Sequence, residues 1–329
     1  MKLKTSIAAA LLALAALPFA EHAKAQAPAG LAAGPVRITS TLPTGSGPDT
    51  VARVIAEKLQ AKWGHPVIVD AKPGGAGVVA INIVKTAAPT GNDLVVADVG
   101  NLSINPLIFK KLSYDPEKDL VPVALLYKTA FFVVVNADGP FKSLKDLTAA
   151  AASKSKPLTY GSNAVGGPIH LGSARFEGAL GVEMTHVPYK ETSQLYAAVS
   201  TGEVDWAFGS IATAGPLVRA GKLRFLAVAD EARSPALPDI PTLQEAGGPR
   251  NVDVLSWVAL MAPRATPAAV VNEINAGVNE ALMQPDVKSR FATFGFVANP
   301  GPAQQVADLM KADRARYAEV LKRVKVSID

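Results

Sequence analysis

The feature that most constrains this chain is a regular alternation of short β-branched runs with longer runs of helical period. Residues 36–42 read as a strand. Residues 49–63 read as a helix, with Val51, Val54, Ile55 and Leu59 on one face and Gly64 then Pro66 as its stop. Residues 66–70 follow as a strand, 77–88 as a helix and 94–98 as a strand. This βαβ succession predicts an α/β fold with a mainly parallel sheet and helices on both faces. The pattern then restarts. Residues 131–136 form a strongly apolar strand, and Ser143-Leu-Lys-Asp146 opens a helix with a capping-box pattern. A strand at 158–161, a helix at 168–180 and strands at 183–187, 204–208 and 223–229 come next. Residues 233–249, rich in proline and glycine, read as a long surface loop. A strand at 254–261 and helices at 267–283, 286–294 and 302–324 complete the chain. Two α/β units plus a returning C-terminal segment predict two Rossmann-like lobes around a central cleft. The connecting strands should cross near 124–130 and 251–256. Lobe 1 is then discontinuous, 26–127 plus 253–329, and lobe 2 is 128–252.

The first 25 residues read differently. Lys2 and Lys4 precede an apolar run at 7–20, and Ala23-Lys24-Ala25 is an A-x-A cleavage pattern. Fourteen apolar residues are too few for a membrane span of about 20. The reading is a secretory signal peptide cleaved near Ala25, which places the mature chain in the periplasm. The chain has no cysteine, which excludes thiolate metal sites, iron–sulfur clusters, thiol catalysis and disulfides. Its 49% hydrophobic content supports a sizeable core. A net charge of +5 is too mild for a nucleic-acid partner, and the basic cluster Lys322, Arg323 and Lys325 suits a helix C-terminus.

In open α/β sheets, ligands sit beyond the carboxyl ends of the strands. The segment after the first strand, Thr41-Leu-Pro-Thr-Gly-Ser-Gly-Pro-Asp49, holds two glycines and three hydroxyls, with Asp49 at the expected N-cap. Glycines let backbone N–H groups approach a ligand closely, and the helix behind them contributes its positive end. The segment Tyr160-Gly-Ser-Asn-Ala-Val-Gly-Gly-Pro168 repeats this design in the other lobe, with proline near the helix start. One such loop on each lobe predicts a two-sided cradle for a small anion. The candidate ligand residues are Leu42, Thr44, Gly45, Ser46, Gly47, Ser162, Asn163, Val165, Gly166 and Gly167. Gly100 and Asn101, after the 94–98 strand, are counted with them. Tyr189, at the end of His186-Val-Pro-Tyr-Lys190, is placed to line the cleft, and Gly209 follows a later strand.

Signals for chemistry are thin. His65, His170 and His186 fit no metal spacing, no serine has a G-x-S-x-G context, and there is no Walker A loop. His170 suits packing or capping better than catalysis. No metal and no cofactor are expected. A G-x-G-x-x-A run at Gly75, Gly77 and Ala80, with Asp98 about 20 residues on, leaves a nicotinamide-dependent oxidoreductase as an alternative.

Several longer motifs carry a family resemblance. They are the loop from Pro43 to Arg53, Lys72-Pro-Gly74, Asn105-Pro106 through Tyr114-Asp-Pro116, Tyr160-Gly-Ser162, His170-Leu171, His186-Val-Pro-Tyr-Lys190, Arg233-Ser-Pro-Ala-Leu-Pro-Asp-Ile-Pro-Thr242 with Glu245-Ala-Gly247, and Ser256-Trp257 through Ala262-Pro263. The chain resembles the Bug family of solute-binding proteins of tripartite tricarboxylate transporters. The resemblance implies a type II periplasmic binding protein, monomeric, that closes on a small organic carboxylate and delivers it to an inner-membrane permease. A receptor role beside a sensor kinase is the alternative it leaves open. It also implies that loops 42–47 and 162–167 hold the ligand. The chain departs from the family pattern at Val165, Gly167, Pro168 and Gly209. The family often has a carboxylate at the last of these, which would pair with an ammonium group. The expected ligand is therefore not an amino acid but a dicarboxylate or an aromatic carboxylate such as terephthalate.

Overall fold

The computed structural model describes residues 34–153, 156–324 and 326–328. The leader read at 1–25 lies outside the described residues. In chain order the strands are β1 (Val36–Ser40), β2 (Val67–Ala71), β3 (Asp93–Asp98), β4 (Leu120–Ala130), β5 (Phe132–Asn136), β6 (Thr159–Ser162), β7 (Thr185–Pro188), β8 (Trp206–Gly209), β9 (Leu223–Val228), β10 (Leu255–Pro263) and β11 (Val297–Ala298). They form two sheets. One has the order β11-β4-β10-β3-β1-β2 and the other β7-β6-β8-β5-β9.

The expectation of mainly parallel sheets is corrected. Parallel pairing is confined to β1 with β2 and β3, and β6 with β7 and β8. β10 runs antiparallel to β3 and β4, β11 to β4, and β5 to β8 and β9. The cause is connectivity. Crossover helices deliver parallel neighbours. Chain that passes from one sheet to the other has no such helix and inserts in the opposite sense. The two passages lie side by side: Phe131 links β4 to β5, and its N–H donates to the carbonyl of Val254, just before β10, at 3.0 Å.

Helices cover both faces of each sheet, so each sheet has two apolar layers. Ile38, Leu59, Trp63 and Phe291 fill one face of the first sheet, and Ile81, Trp257 and Met310 the other. In the second sheet Trp206 meets Phe176 and Phe208 edge-on at 5.2 and 5.3 Å. Each such aromatic pair adds about 0.5–1.5 kcal/mol beyond its burial.

The helix starts matter most for the site. The Gly47–Trp63 helix is capped by Ser46 and not by Asp49. The Ser46 hydroxyl accepts the Asp49 N–H, and Gly64, at φ 73°, closes the other end. The Pro168–Leu180 helix begins with Gly167 as N-cap and Pro168 inside the first turn, and ends on Gly181 at φ 68°. The Leu144–Ala152 helix has the expected Ser143–Asp146 capping box. A π-turn at Gly100–Ile104, running into the short helix Asn105–Ile108, was not legible from the sequence.

Candidate functional site

A cavity of about 340 Å³ lies where the loops after β1, β2 and β3 face the loop after β6. Residues 41–43, Gly74, Ala76, Gly77, Asp98, Gly100 and Asn101 line it from the first sheet, and residues 163–168 from the second. Ile108, Phe109 and Ile328 close one side, where the Ile328 N–H donates to the Ile108 carbonyl at 2.8 Å. A larger cavity of about 660 Å³ sits against β9, lined by Ile211, Leu223, Phe225 and Leu237. It touches none of these loops. The smaller cavity is the candidate site, because it lies at the carboxyl ends of parallel strands from both sheets.

Of the sequence-derived residues, Leu42, Gly100, Asn101, Asn163, Val165, Gly166 and Gly167 line this cavity. Thr44, Gly45, Ser46 and Gly47 do not, and three of them have other work. Gly45, at φ 81°, donates its N–H to Asp49 Oδ2 at 2.9 Å. The Ser46 hydroxyl caps its helix. Gly47 packs so closely on Phe296 that a Cβ would lie 2.7 Å from the ring. Asp49 is buried, and Arg53 neutralises it through two hydrogen bonds of 3.0 Å. The hydrogen bond to Asp49 in turn raises the proton affinity of the Arg53 guanidinium.

The first-sheet wall is a tied network. Gly74, Gly75, Ala76 and Gly77 all have positive φ, at 137°, 53°, 53° and 88°. The carbonyl of Ala76 accepts from the side-chain amides of Asn101 at 2.7 Å and Asn105 at 2.9 Å. Asn101 Oδ1 accepts from the Thr41 hydroxyl at 2.8 Å and the Asp98 N–H at 3.2 Å. Asn101 thus binds three loops to one another. A Cβ on Gly77 would lie 2.3 Å from the Asn101 amide. Left-handed backbone and this close approach account for the glycines of the G-x-G-x-x-A run. Asp98 completes the wall. Its Oδ1 accepts the Asn101 N–H at 3.0 Å, and burial holds its carboxyl above the usual range. No cation pairs with it among the described residues. Sequence reasoning named Asp98 only as the acidic residue of the dinucleotide pattern and not among the ligand residues, although it ends a strand whose following residues were chosen.

On the second sheet, Gly166 has φ 77° and donates its N–H to His170 Nδ1 at 2.9 Å. Ser162 is fully buried and its hydroxyl lies 2.7 Å from His186 Nε2, so it holds the start of the loop and does not reach the cavity. Asn163 donates to the Thr192 hydroxyl at 3.1 Å. The N–H groups of Ala164 and Val165 make no hydrogen bond among the described residues. With the Pro168–Leu180 helix start behind them, they are the donors an anion can take. Tyr189 points elsewhere, its hydroxyl donating to Glu203 at 3.3 Å. Gly209 is buried in β8, where a Cβ would lie 2.8–2.9 Å from Val134, Ala214 and the Tyr196 hydroxyl. Packing sets that glycine, and the contrast with an acidic residue there says nothing about the ligand.

A family model described as "Tripartite tricarboxylate transporter family receptor" matches residues 51–326. The chain belongs to this receptor family. Its members include proteins of the Bug type, as the motifs implied, and the family is one of solute-binding receptors and not of enzymes. A relative in the tcbD-tcbE intergenic region of Pseudomonas sp. strain P51 is 31% identical over 87% of this chain and 85% of its own. Among solved structures, MatC of Rhodopseudomonas palustris with bound malate superposes with a TM-score of 0.75 at 30% identity, covering 88% of this chain and 99% of that one. A second R. palustris protein, Rpa4515 with adipate, gives 0.79 at 29% identity, covering 88% and 97%. For the TctC-type receptor described here, the oxidoreductase alternative falls with the family.

Proposed function

We propose that this receptor captures a small organic carboxylate in the 340 Å³ cavity, in the periplasm, and passes it to the permease of a tripartite tricarboxylate transporter. The observation that carries the reading is the convergence of loops from both sheets on one cavity, with unengaged N–H groups in the loop that precedes a helix on one side. The volume falls within the roughly 300–1,000 Å³ usual for small-molecule sites. The ligand carboxylate turns toward the N–H groups of Ala164 and Val165, where backbone dipoles receive it. The body of the ligand lies against Leu42, Ile108 and the Asp98 wall. Burial raises the proton affinity of Asp98, so a second carboxyl group of the ligand can hydrogen-bond to it when one proton is held between the two. This places dicarboxylates first, and malate and adipate, held by two structural relatives, head the list. Terephthalate is the aromatic member of the same class. Contact with both lobes at once drives closure about the Phe131 and Val254 passages.

A thermal-shift panel of malate, adipate, terephthalate, benzoate, aspartate and glutamate tests the ligand class. One or more dicarboxylates should raise the melting temperature, since a ligand at 100 times its Kd adds about 2.7 kcal/mol. A panel in which no carboxylate shifts the transition overturns the proposal. One in which only benzoate does so overturns the preference for dicarboxylates. Delivery is tested by whether cells lacking this receptor lose uptake of the ligand found.

A further inference from the structure

We propose that His170 is a positioning residue for ligand capture: its neutral imidazole holds the Gly166 turn in the conformation that presents the second-sheet N–H groups. The inference rests on the carboxylate-receptor reading of the site and adds a residue to it.

The two lobes solve one problem in two ways. In each, a glycine of φ near 80° stands just before a helix cap and donates its N–H to the side chain four residues on. For Gly45 that side chain is Asp49. It is an anion, and Arg53 is needed to neutralise it. For Gly166 it is His170. Its Nδ1 accepts, so the ring is neutral with its proton on Nε2. The turn is thereby fixed without placing a negative charge beside the cavity, so the 163–167 loop remains open to an anion.

His170 is itself held. It is buried, and its ring stacks on His186 with centroids 3.8 Å apart and planes 13° apart. Tyr160 stacks against the pair, 5.1 Å from His186 and 6.3 Å from His170. His186 in turn holds Ser162 at 2.7 Å. Both ends of the 162–166 stretch are therefore tied to two stacked imidazoles. The titratable groups facing the rings are each other and the Tyr160 phenol. On the same helix Arg175 and Glu177 are engaged with Asp253 and the Met184 N–H. On the helix packed outside it, Asp313 and Arg316 are engaged with Trp257 and Asp253. Burial and the neighbouring ring lower the His170 pKa to about 4. A proton on Nδ1 would point at the Gly166 N–H and release the turn.

The test compares wild type with His170→Asn, whose Oδ1 can stand where Nδ1 does, and His170→Phe, which keeps a ring without the acceptor. Circular dichroism first confirms the fold of each. Hydrogen exchange, read without ligand on the peptide spanning 162–170, should show protection of the Gly166 amide in wild type and His170→Asn. In His170→Phe it should fall about ten-fold or more, as for one hydrogen bond lost. Affinity for the carboxylate that best stabilises wild type should drop about ten-fold in His170→Phe and less than about three-fold in His170→Asn. Below about pH 5 the wild-type affinity should decline more steeply than that of His170→Asn. Unchanged exchange and affinity in His170→Phe, or a folded His170→Asn that behaves like it, overturns the proposal. Exchange as expected, with no carboxylate bound by wild type, overturns the carboxylate reading on which the proposal rests.

Discussion

Arg53 grips Asp49 through a closed fork, with Nε and Nη2 each 3.0 Å from a different carboxylate oxygen. Asp49 is 1% exposed and Arg53 is 46% exposed, so the acid depends on the base more than the reverse. Removing Arg53 leaves a buried negative charge at the start of the helix that follows Leu42 and Pro43, which line the cavity. Arg53→Met should cost about 2–3 kcal/mol of stability, because the buried Asp49 carboxylate loses its counter-charge, and should weaken carboxylate binding about ten-fold. Adding Asp49→Asn keeps an acceptor for Gly45 and deletes the charge, so the double variant should recover most of the affinity. Calorimetric titration of the three proteins decides; a double variant no better than Arg53→Met removes the electrostatic account.

Gly45 and Gly166 are alike in φ and unlike in surroundings. Nothing lies within 4 Å of a Cβ built on Gly45, whereas one on Gly166 would meet Ile108 at 2.8 Å and Val326 at 3.1 Å. Gly45→Ala should therefore cost only the strain of a left-handed alanine, about 1 kcal/mol, with binding retained. Gly166→Val should cost about 2–3 kcal/mol and abolish binding. The sequence alone treats the two positions as equivalent, and the structure separates them. Melting temperatures and a titration with the same carboxylate test the split, and equal effects at both positions would refute it.

The parts of the fold written in local chemistry were legible. Gly64 and Gly181 end their helices, Pro168 starts one, and Ser143 with Asp146 caps another. The pairing of β4 with β10 was not, because a long apolar strand does not record which neighbour it meets or in which sense. The site divides in the same way. Glycine-rich loops after strands announced the cavity. The network through Asn101 joins residues 25 to 60 positions apart, and no spacing rule encodes it. Gly209 misled because a glycine demanded by Val134, Ala214 and Tyr196 looks in sequence like one cleared for a ligand.

The stacked histidines predict acid sensitivity. His170 falls from 6.5 to about 4 on folding, and burial lowers His186 in the same direction. A base whose folded pKa is depressed binds its proton less readily than the unfolded chain does. Stability is then full above the unfolded value of 6.5 and is lost as pH falls toward 4. The His170 contribution is at most about 3 kcal/mol. Asp98, Glu177 and Asp313, raised by burial, act with the opposite sign. Subtracting the profile of His170→Asn cancels them. The difference in unfolding free energy between the two proteins should change between pH 7 and pH 4, to the disadvantage of wild type, and a flat difference contradicts the assignment.

Asp253 joins two helices that pack on different sheets. It stands in the passage leading into β10, and its carboxylate meets Arg175 of the Pro168–Leu180 helix at 2.7 Å and Arg316 of the Gln304–Leu321 helix at 2.6 Å. Arg175 also donates to the carbonyls of Asp253 and Asn251. The carboxylate thus screens two guanidinium groups drawn from helices on different sheets. Asp253→Ala strips the counter-charge from Arg175 and leaves Arg316 with Asp313 alone, at 3.1 Å, and should cost about 2 kcal/mol, more than an exposed pair because all three groups are more than half buried. Asp253→Asn keeps the shape and should cost about half of that. If the bridge also guides closure, the compaction on ligand binding seen by small-angle scattering should shrink in Asp253→Ala. Its stability loss should be the same with and without ligand only if the bridge plays no part in the motion. Denaturant titrations of both variants in each state separate a hinge element from a clamp that merely stabilises the fold.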